Sequence, residues 1–167
     1  MRGVSDTSSG VTLDTVDAMT ETIEGNYVPS SMDWVREQVE IYERTGGREG
    51  NTLLDTGMPV IIVTMRGART GDVRKIALMR VEHDGDYALV ASFGGAPKHP
   101  VWYWNLKAHP DEVLVQDGPE PFRVAIREVE GDERAEWWDR CVAAYPPYAE
   151  YQERTDRTIP VIVASPR

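Results

Sequence analysis

Pro59-Val60-Ile61-Ile62-Val63-Thr64-Met65-Arg66-Gly67-Ala68-Arg69-Thr70-Gly71-Asp72-Val73-Arg74-Lys75-Ile76-Ala77-Leu78-Met79 reads as strand, turn and strand. The β-branched run after Pro59 favours extended backbone, and a proline lacks the N–H an inner ladder position needs, so Pro59 can only start the strand. Gly67 to Asp72 has turn composition. Val73 to His83 then predicts one long strand, closed by the hairpin signal Asp84-Gly85. Asp86 to Ser92 continues as the next strand. Further out, Glu112 to Gln116 and Pro121 to Val129 predict a hairpin across Asp117-Gly118, and Ile159 to Ala164 a last strand.

Helices are predicted around these strands. Ser30-Ser31-Met32-Asp33 has a capping-box pattern, Trp34, Val35, Val39, Ile41 and Tyr42 follow at helical spacing, and Gly46-Gly47 stops the helix. Residues 48–58 read as loop. Pro100 suits the first turn of a short helix through His109. Gly131 to Ala144 is amphipathic, with Trp137, Trp138, Cys141 and Val142 inward, and Tyr145 to Arg154 makes a second short helix. Six strands in hairpins with helices at the ends predict a small antiparallel barrel with flanking helices. Residues 1–29 are rich in Ser, Thr, Asp and Gly and predict a mobile acidic arm, with Tyr27 to Pro29 touching the body; residues 30–167 form the barrel domain.

The chain's 167 residues fit one domain. No run approaches the length of a membrane helix, and the N-terminal stretch lacks a basic region followed by an apolar one, so neither stable membrane insertion nor a signal peptide is expected. The predicted location is the cytoplasm, at most peripheral to the inner face of the membrane. The single Cys141 excludes an internal disulfide framework. Net charge is −10, which argues against nucleic-acid binding. Yet residues 64–107 carry 7 basic and 4 acidic side chains, net +3. A basic middle in an acidic protein points to an anion site of small-molecule size.

Three segments have the residue types for chemistry, and each also reads as plain structure. Two glycines in Arg66-Gly67-Ala68-Arg69-Thr70-Gly71 allow tight backbone geometry, and Arg69 and Arg74 can fork onto phosphate or carboxylate; the same stretch is also an ordinary turn with solvated arginines. Ser92-Phe93-Gly94-Gly95 leads to a helix start, where anions bind, and Trp102 and Tyr103 can flank a planar ring or fill a core. Tyr148 and Tyr151 lie three apart, on one helix face, and Tyr145 comes just before; the three phenols either line a pocket or pack a helix. The three histidines lack metal-ligand spacing, so no metal is expected. Cys141, on an apolar helix face, reads as an inert core thiol.

Taken in order, these pieces resemble the deazaflavin-dependent nitroreductases, actinobacterial enzymes that use coenzyme F420 (8-hydroxy-5-deazaflavin). The likeness covers roughly residues 32–165. It rests on Gly46-Gly47-Arg48-Glu49-Gly50, the G-x-[KR]-[ST]-G turn with Arg74, and Ser92-x-Gly94-Gly95. Pro100-x-Trp102-Tyr103-x-Asn105-Leu106, Tyr145-Pro146-Pro147-Tyr148-x-x-Tyr151-Gln152 and Arg157-x-Ile159-Pro160-Val161 complete it. The resemblance implies a split antiparallel β-barrel with flanking helices, of the pyridoxamine-phosphate-oxidase-like kind, often dimeric. It implies hydride transfer from reduced F420 to a small conjugated acceptor: a quinone, a nitro-heterocycle or an unsaturated lactone. It places Ala68, Arg69, Thr70 and Arg74 at the coenzyme's anionic tail. Lys75, Ile76, Ala77, Leu78 and Met79 would surround the rest of the coenzyme, with Val90, Ala91, Ser92 and Phe93, and Val101, Trp102, Tyr103, Trp104 and Asn105. Tyr145, Tyr148 and Tyr151, with Met79, would line the acceptor pocket. Tyr148, near the ring, and Ser92, where donor and acceptor meet, would be catalytic. Ala68 and Phe93 stand where the family often has cations, and Arg66 and Lys98 are the residues expected to compensate. Two other readings of the same residues are a barrel that binds flavin mononucleotide and a non-enzymatic binder of a hydrophobic ligand.

Overall fold

A computed structural model describes residues 21–54 and 56–167. Its elements are α1 (Asp33–Thr45), β1 (Val60–Arg66), β2 (Val73–Met79), β3 (Glu82–His83) and β4 (Asp86–Val90). A single 3₁₀ turn (Phe93–Gly95) precedes α2 (Val101–Ala108), and β5 (Val113–Gln116), β6 (Pro121–Glu128), α3 (Gly131–Ala144), α4 (Pro147–Glu153) and β7 (Val161–Pro166) follow. The strands form one antiparallel sheet in the order β2-β1-β5-β6-β7-β4-β3.

That order makes the sheet curl. β2 and β3 are its opposite edges, yet only Arg80 and Val81 separate them in sequence. So short a link spans at most about 11 Å, which forces the two edges together. The Arg80 N–H still donates to Pro59 at 2.9 Å beside β1, while the Val81 carbonyl already accepts from Ala88 of β4 at 2.9 Å. The long strand expected over Val73–His83 is therefore two strands, and the sheet has seven strands rather than six. Apolar residues run on through Val81, so the break has no local signal; barrel closure imposes it.

Period-two alternation then builds two apolar layers, one on each face of the sheet. Val60 and Ile62 join Met79, Val81, Val90, Val161 and Val163 under α1, α3 and α4, with Tyr42, Trp137, Cys141 and Tyr148. Ile61, Val63 and Met65 join Leu89, Ala91, Val113, Val115 and Ile162 against Tyr103 and Leu106 of α2. Buried on both faces, β1 reads as an unbroken apolar run. Burial pushes the Cys141 thiol up to about 12, so it is inert at neutral pH.

Two local readings change. The capping box at Ser30–Asp33 does not form: Ser30 Oγ accepts the Met32 N–H at 3.2 Å, and Asp33 pairs with Arg36 at 2.7 Å. α1 does stop at Gly46, left-handed with φ 64°, where the Gly47 N–H returns to the Tyr42 carbonyl at 2.9 Å. Contact of the N-terminal segment with the body begins before Tyr27. Arg123 binds Glu21 at 3.1 Å, Arg66 binds the Glu24 carbonyl at 2.8 Å, and Asn26 and Val28 bracket Val73 on the outer edge of β2. Residues 1–20 of the expected arm lie outside the described residues.

Candidate active site

Each of the seven cations in residues 64–107 carries the same formal charge, but their surroundings divide them. Arg66 pairs with Glu112 at 2.8 Å, Lys75 with Glu43 at 2.6 Å, Arg80 with Asp117 at 2.9 Å and Lys107 with Glu128 at 3.5 Å. Arg69, Arg74 and Lys98 have no carboxylate partner among the described residues. Arg66 also binds the Gly71 and Glu24 carbonyls, at 2.7 and 2.8 Å. Four of its five N–H donors are therefore committed to the protein. Exposed Lys98 is the one expected substitute that remains without a carboxylate.

The turn carrying Arg69 is fixed from within and from α2. The Gly67 N–H donates to Asp72 at 2.7 Å, Thr70 Oγ1 accepts from the Asp72 N–H at 3.2 Å, and Asn105 Oδ1 accepts from the Ala68 N–H at 2.9 Å. α2, about 12 Å long at 1.5 Å per residue, thus has the arginine turn docked on its last turn and Lys98 just before its first.

Strand and helix periods separate residues that are contiguous in sequence. On β2, Ile76 and Leu78 pack in the α2 layer, with Arg74 in phase with them. Lys75, Ala77 and Met79 take the other phase; Ala77 and Met79 lie in the α1, α3 and α4 layer, and Lys75 reaches Glu43 and covers the Tyr27 ring at 4.9 Å. On α2, Val101 and Trp104 are exposed, Trp102 is half-buried, and Tyr103 and Asn105 are buried. Tyr103 gives its hydroxyl to Glu128 at 2.6 Å, and burial with that bond pushes it up to about 12; it packs in the core layer of α2.

The three tyrosines do come together. Ring centroids are 4.9 Å apart for Tyr145 and Tyr148, 6.2 Å for Tyr148 and Tyr151, and 6.1 Å for Tyr145 and Tyr151. The Tyr145 and Tyr151 hydroxyls share a hydrogen bond of 3.2 Å, which with burial pushes Tyr145 up to about 12. Tyr148 is buried in the same layer as Met79 and Val90, and burial pushes its phenol well above the ordinary tyrosine range. Both phenols are proton donors at neutral pH.

The strand-end segment docks beside them. Ser92 is buried, and Phe93, Gly94 and Gly95 all have positive φ, of 48°, 62° and 80°. For Phe93 this is a strained setting, with its ring about half exposed. A Cβ on Gly95 would meet the Tyr151 carbonyl oxygen at 2.6 Å, whereas one on Gly94 would meet nothing within 4 Å. Gly94→Ala should cost about 1 kcal/mol, the left-handed penalty alone. Gly95→Ala should cost more, about 2–4 kcal/mol, because it also pushes α4 off the loop. Thermal unfolding of the two variants checks this; equal losses would disprove the close approach as the cause.

Arg157 has no signal of its own in the sequence beyond its place in a motif. Its guanidinium donates to the carbonyls of Ser92 at 2.7 Å, Ala91 at 3.1 Å and Ala96 at 2.9 Å, and to His99 Nδ1 at 2.9 Å. Arginine cannot accept, so Nδ1 must, and the His99 proton sits on Nε2. Burial and then the Arg157 charge hold His99 below the ordinary imidazole range, which keeps that acceptor available.

Ser92 and Tyr148 share one property: neither hydroxyl has a hydrogen-bond partner among the described residues, though both residues are more than nine-tenths buried. Neither oxygen is sealed off, since among the described residues the one fully buried side-chain N or O atom without a partner is Arg134 Nε, so two open hydroxyls beside a tyrosine cluster suit a polar ligand. Free cations near α2, two donor hydroxyls and aromatic walls match a ligand with an anionic tail and a planar, oxygen-bearing ring.

The F420H2-dependent quinone reductase family matches residues 34–166. An F420H2-dependent quinone reductase of Mycobacterium tuberculosis is 36% identical over 130 residues, spanning 76% of this chain and 86% of that protein. A solved F420-H2 dependent reductase has 54% identity and a TM-score of 0.60, covering 64% of this chain and 94% of that one. Another solved structure, described as a domain-swapped dimer, has 52% identity and a TM-score of 0.62, covering 81% and 100%.

Proposed function

Because the chain belongs to the F420H2-dependent quinone reductase family, and so is an oxidoreductase whose hydride donor is reduced coenzyme F420, we propose that it reduces a quinone, with nitro-heterocycles and unsaturated lactones as further acceptors. Reduced F420, when bound, supplies the hydride. Arg69, Arg74 and Lys98 would hold its anionic tail along α2, with the Trp102 side of that helix as wall. This rests above all on those three cations lacking carboxylate partners among the described residues, in a chain of net charge −10. Unpaired cations in an acidic protein repel one another and gain stabilisation when an anion arrives.

Ser92 and Tyr148 would face the reacting centre, and Tyr145, Tyr151 and Met79 the acceptor. Hydride arrival leaves negative charge on an acceptor oxygen. A phenol or serine hydroxyl donating to that oxygen lowers the barrier, and Tyr148 can pass on its proton to complete the hydroquinone. We assign catalysis to residues 30–167, with residues 1–29 as an acidic N-terminal arm, and place the protein in the cytoplasm. The domain-swapped relative supports a homodimer as its working form.

Purified protein titrated with coenzyme F420 should show saturable binding, and reduced F420 should then be consumed on adding menadione. Tight binding of flavin mononucleotide with none of F420 would overturn the coenzyme assignment. Turnover with a nitroimidazole or a furanocoumarin but not with menadione would overturn the quinone.

A further inference from the structure

We propose that Arg157 is a positioning residue for hydride transfer, acting through the backbone of Ser92; this rests on Ser92 belonging to the reacting centre as read above. Arg157 places four of its five N–H donors on one segment, residues 91–99. No other side chain binds that segment so extensively among the described residues. The segment is also held by the Ala91 N–H on the Pro160 carbonyl at 3.0 Å, by the His99 ring against Tyr103 at 4.6 Å, by Gly95 packed on the Tyr151 carbonyl, and by a long contact of 3.4 Å from Arg154 to Gly94.

The bonds fix orientation as well as place. In a trans peptide the carbonyl and the N–H point in opposite directions. With the Ala91 and Ser92 carbonyls turned onto the guanidinium, the Ser92 and Phe93 amides are turned away from it. Neither of these N–H groups has a partner among the described residues. Ser92 is right-handed (φ −74°, ψ −39°) and Phe93 left-handed (φ 48°). Successive amides in that arrangement converge on one side and favour negative charge there. The same two peptide planes flank the Ser92 Cα, so they also set the direction of its side chain. Arg157 thereby determines where the Ser92 hydroxyl and two amides stand when charge develops on the acceptor.

Arg157 is itself held for the task. Gln152 of α4 donates to its carbonyl at 2.8 Å and accepts from the Ile159 N–H at 3.0 Å, closing the loop that carries it. α4 also carries Tyr148 and Tyr151, so one short helix indexes both the phenols and, through Gln152 and Arg157, the serine segment.

The test compares Arg157→Lys, Ser92→Ala and the double variant, with menadione and saturating reduced F420. Lysine keeps the charge but has three donors on one nitrogen, so it cannot reproduce the four bonds that Arg157 makes from three nitrogens of a planar fork. Arg157→Lys should lower kcat about tenfold to hundredfold, the cost of misplacing a reacting group by a fraction of an ångström to an ångström. The Kd for F420 should change less than about threefold, because the tail cations are untouched. The double variant should be no slower than the slower single one, since both changes remove one function. An unchanged kcat in folded Arg157→Lys overturns the proposal, and so do effects that multiply in the double variant. If Arg157→Lys does not fold, Arg157→Ala assayed with added guanidinium ion decides: restored turnover supports the proposal, and none overturns it. Failure of the underlying reading looks different. Wild-type protein would then not bind F420, or Ser92→Ala alone would turn over normally.

Discussion

Arg69→Ala with Arg74→Ala should weaken F420 binding by roughly 10²–10⁴-fold, if each guanidinium makes one charge-assisted contact of about 1.5–3 kcal/mol and the two add. Neither residue has a carboxylate partner among the described residues, so their removal leaves no buried charge unpaired there, and the melting temperature should barely change. Salt supplies a second signature. Wild-type affinity should fall as ionic strength rises, and the double variant should respond much less, because it has lost the screened contacts. Lys75→Ala tests the discrimination. The family pattern places Lys75 beside the coenzyme, but its Nζ lies 2.6 Å from Glu43, with the Tyr27 ring 4.9 Å away. A cation already paired has little charge left for a ligand, so this change should cost far less affinity than either arginine. Isothermal titration with F420 at two salt concentrations reads all of this. A larger loss from Lys75→Ala than from the double arginine variant would put the tail on the other face of β2.

The contrast between Lys75 and Arg74 also shows what a sequence can carry. Adjacent residues in a strand point to opposite faces, so a motif names the strand but not the face that matters. The face is decided by Glu43, which is 32 residues away in sequence and whose pairing leaves no local mark. α2 has the same character. Val101 to Asn105 is one motif, yet its helical turn sends Tyr103 and Asn105 inward and Val101 and Trp104 outward. Features with local causes were legible: the glycine stop of α1, the Asp84-Gly85 turn with φ of 52° and 88°, and the full extent of α3. The break at Arg80-Val81 was not, because hydrophobic periodicity continues through it and only closure of the sheet requires it. Arg157 was the least legible. An arginine in a polar loop has no pattern of its own, and its four acceptors lie 58 to 66 residues away. The tyrosines were legible as a group, since spacing along one short helix brings Tyr148 and Tyr151 together and Tyr145 precedes it directly.

Tyr148→Phe should move stability and turnover in opposite senses. The ring packs between Tyr145 at 4.9 Å and Trp138 at 6.3 Å, in the layer with Met79 and Val90. Phenylalanine keeps that packing. The hydroxyl has no partner among the described residues, so removing it breaks no internal hydrogen bond. The melting temperature should hold or rise slightly. Turnover with menadione should fall tenfold or more, and by up to ~10²–10⁴ if the phenol also transfers the proton. The pH profile gives a further sign. Burial pushes Tyr148 well above the ordinary phenol range, so the group stays protonated from neutral pH through about pH 10, where a free tyrosine is half ionised. Wild-type kcat should therefore show no alkaline decline from this residue, and the deficit of Tyr148→Phe should be constant across that range. Tyr145→Phe and Tyr151→Phe break a mutual hydrogen bond of 3.2 Å at the acceptor wall, and should alter the KM for different acceptors more than kcat. A purely structural cluster makes the opposite forecast: all three phenylalanine variants keep full turnover, and only truncation to alanine, by opening a cavity, lowers stability. Undiminished kcat in Tyr148→Phe across several acceptors would remove its hydroxyl from the chemistry and leave the Ser92 hydroxyl, with the outward Ser92 and Phe93 amides, as the source of the stabilising hydrogen bonds.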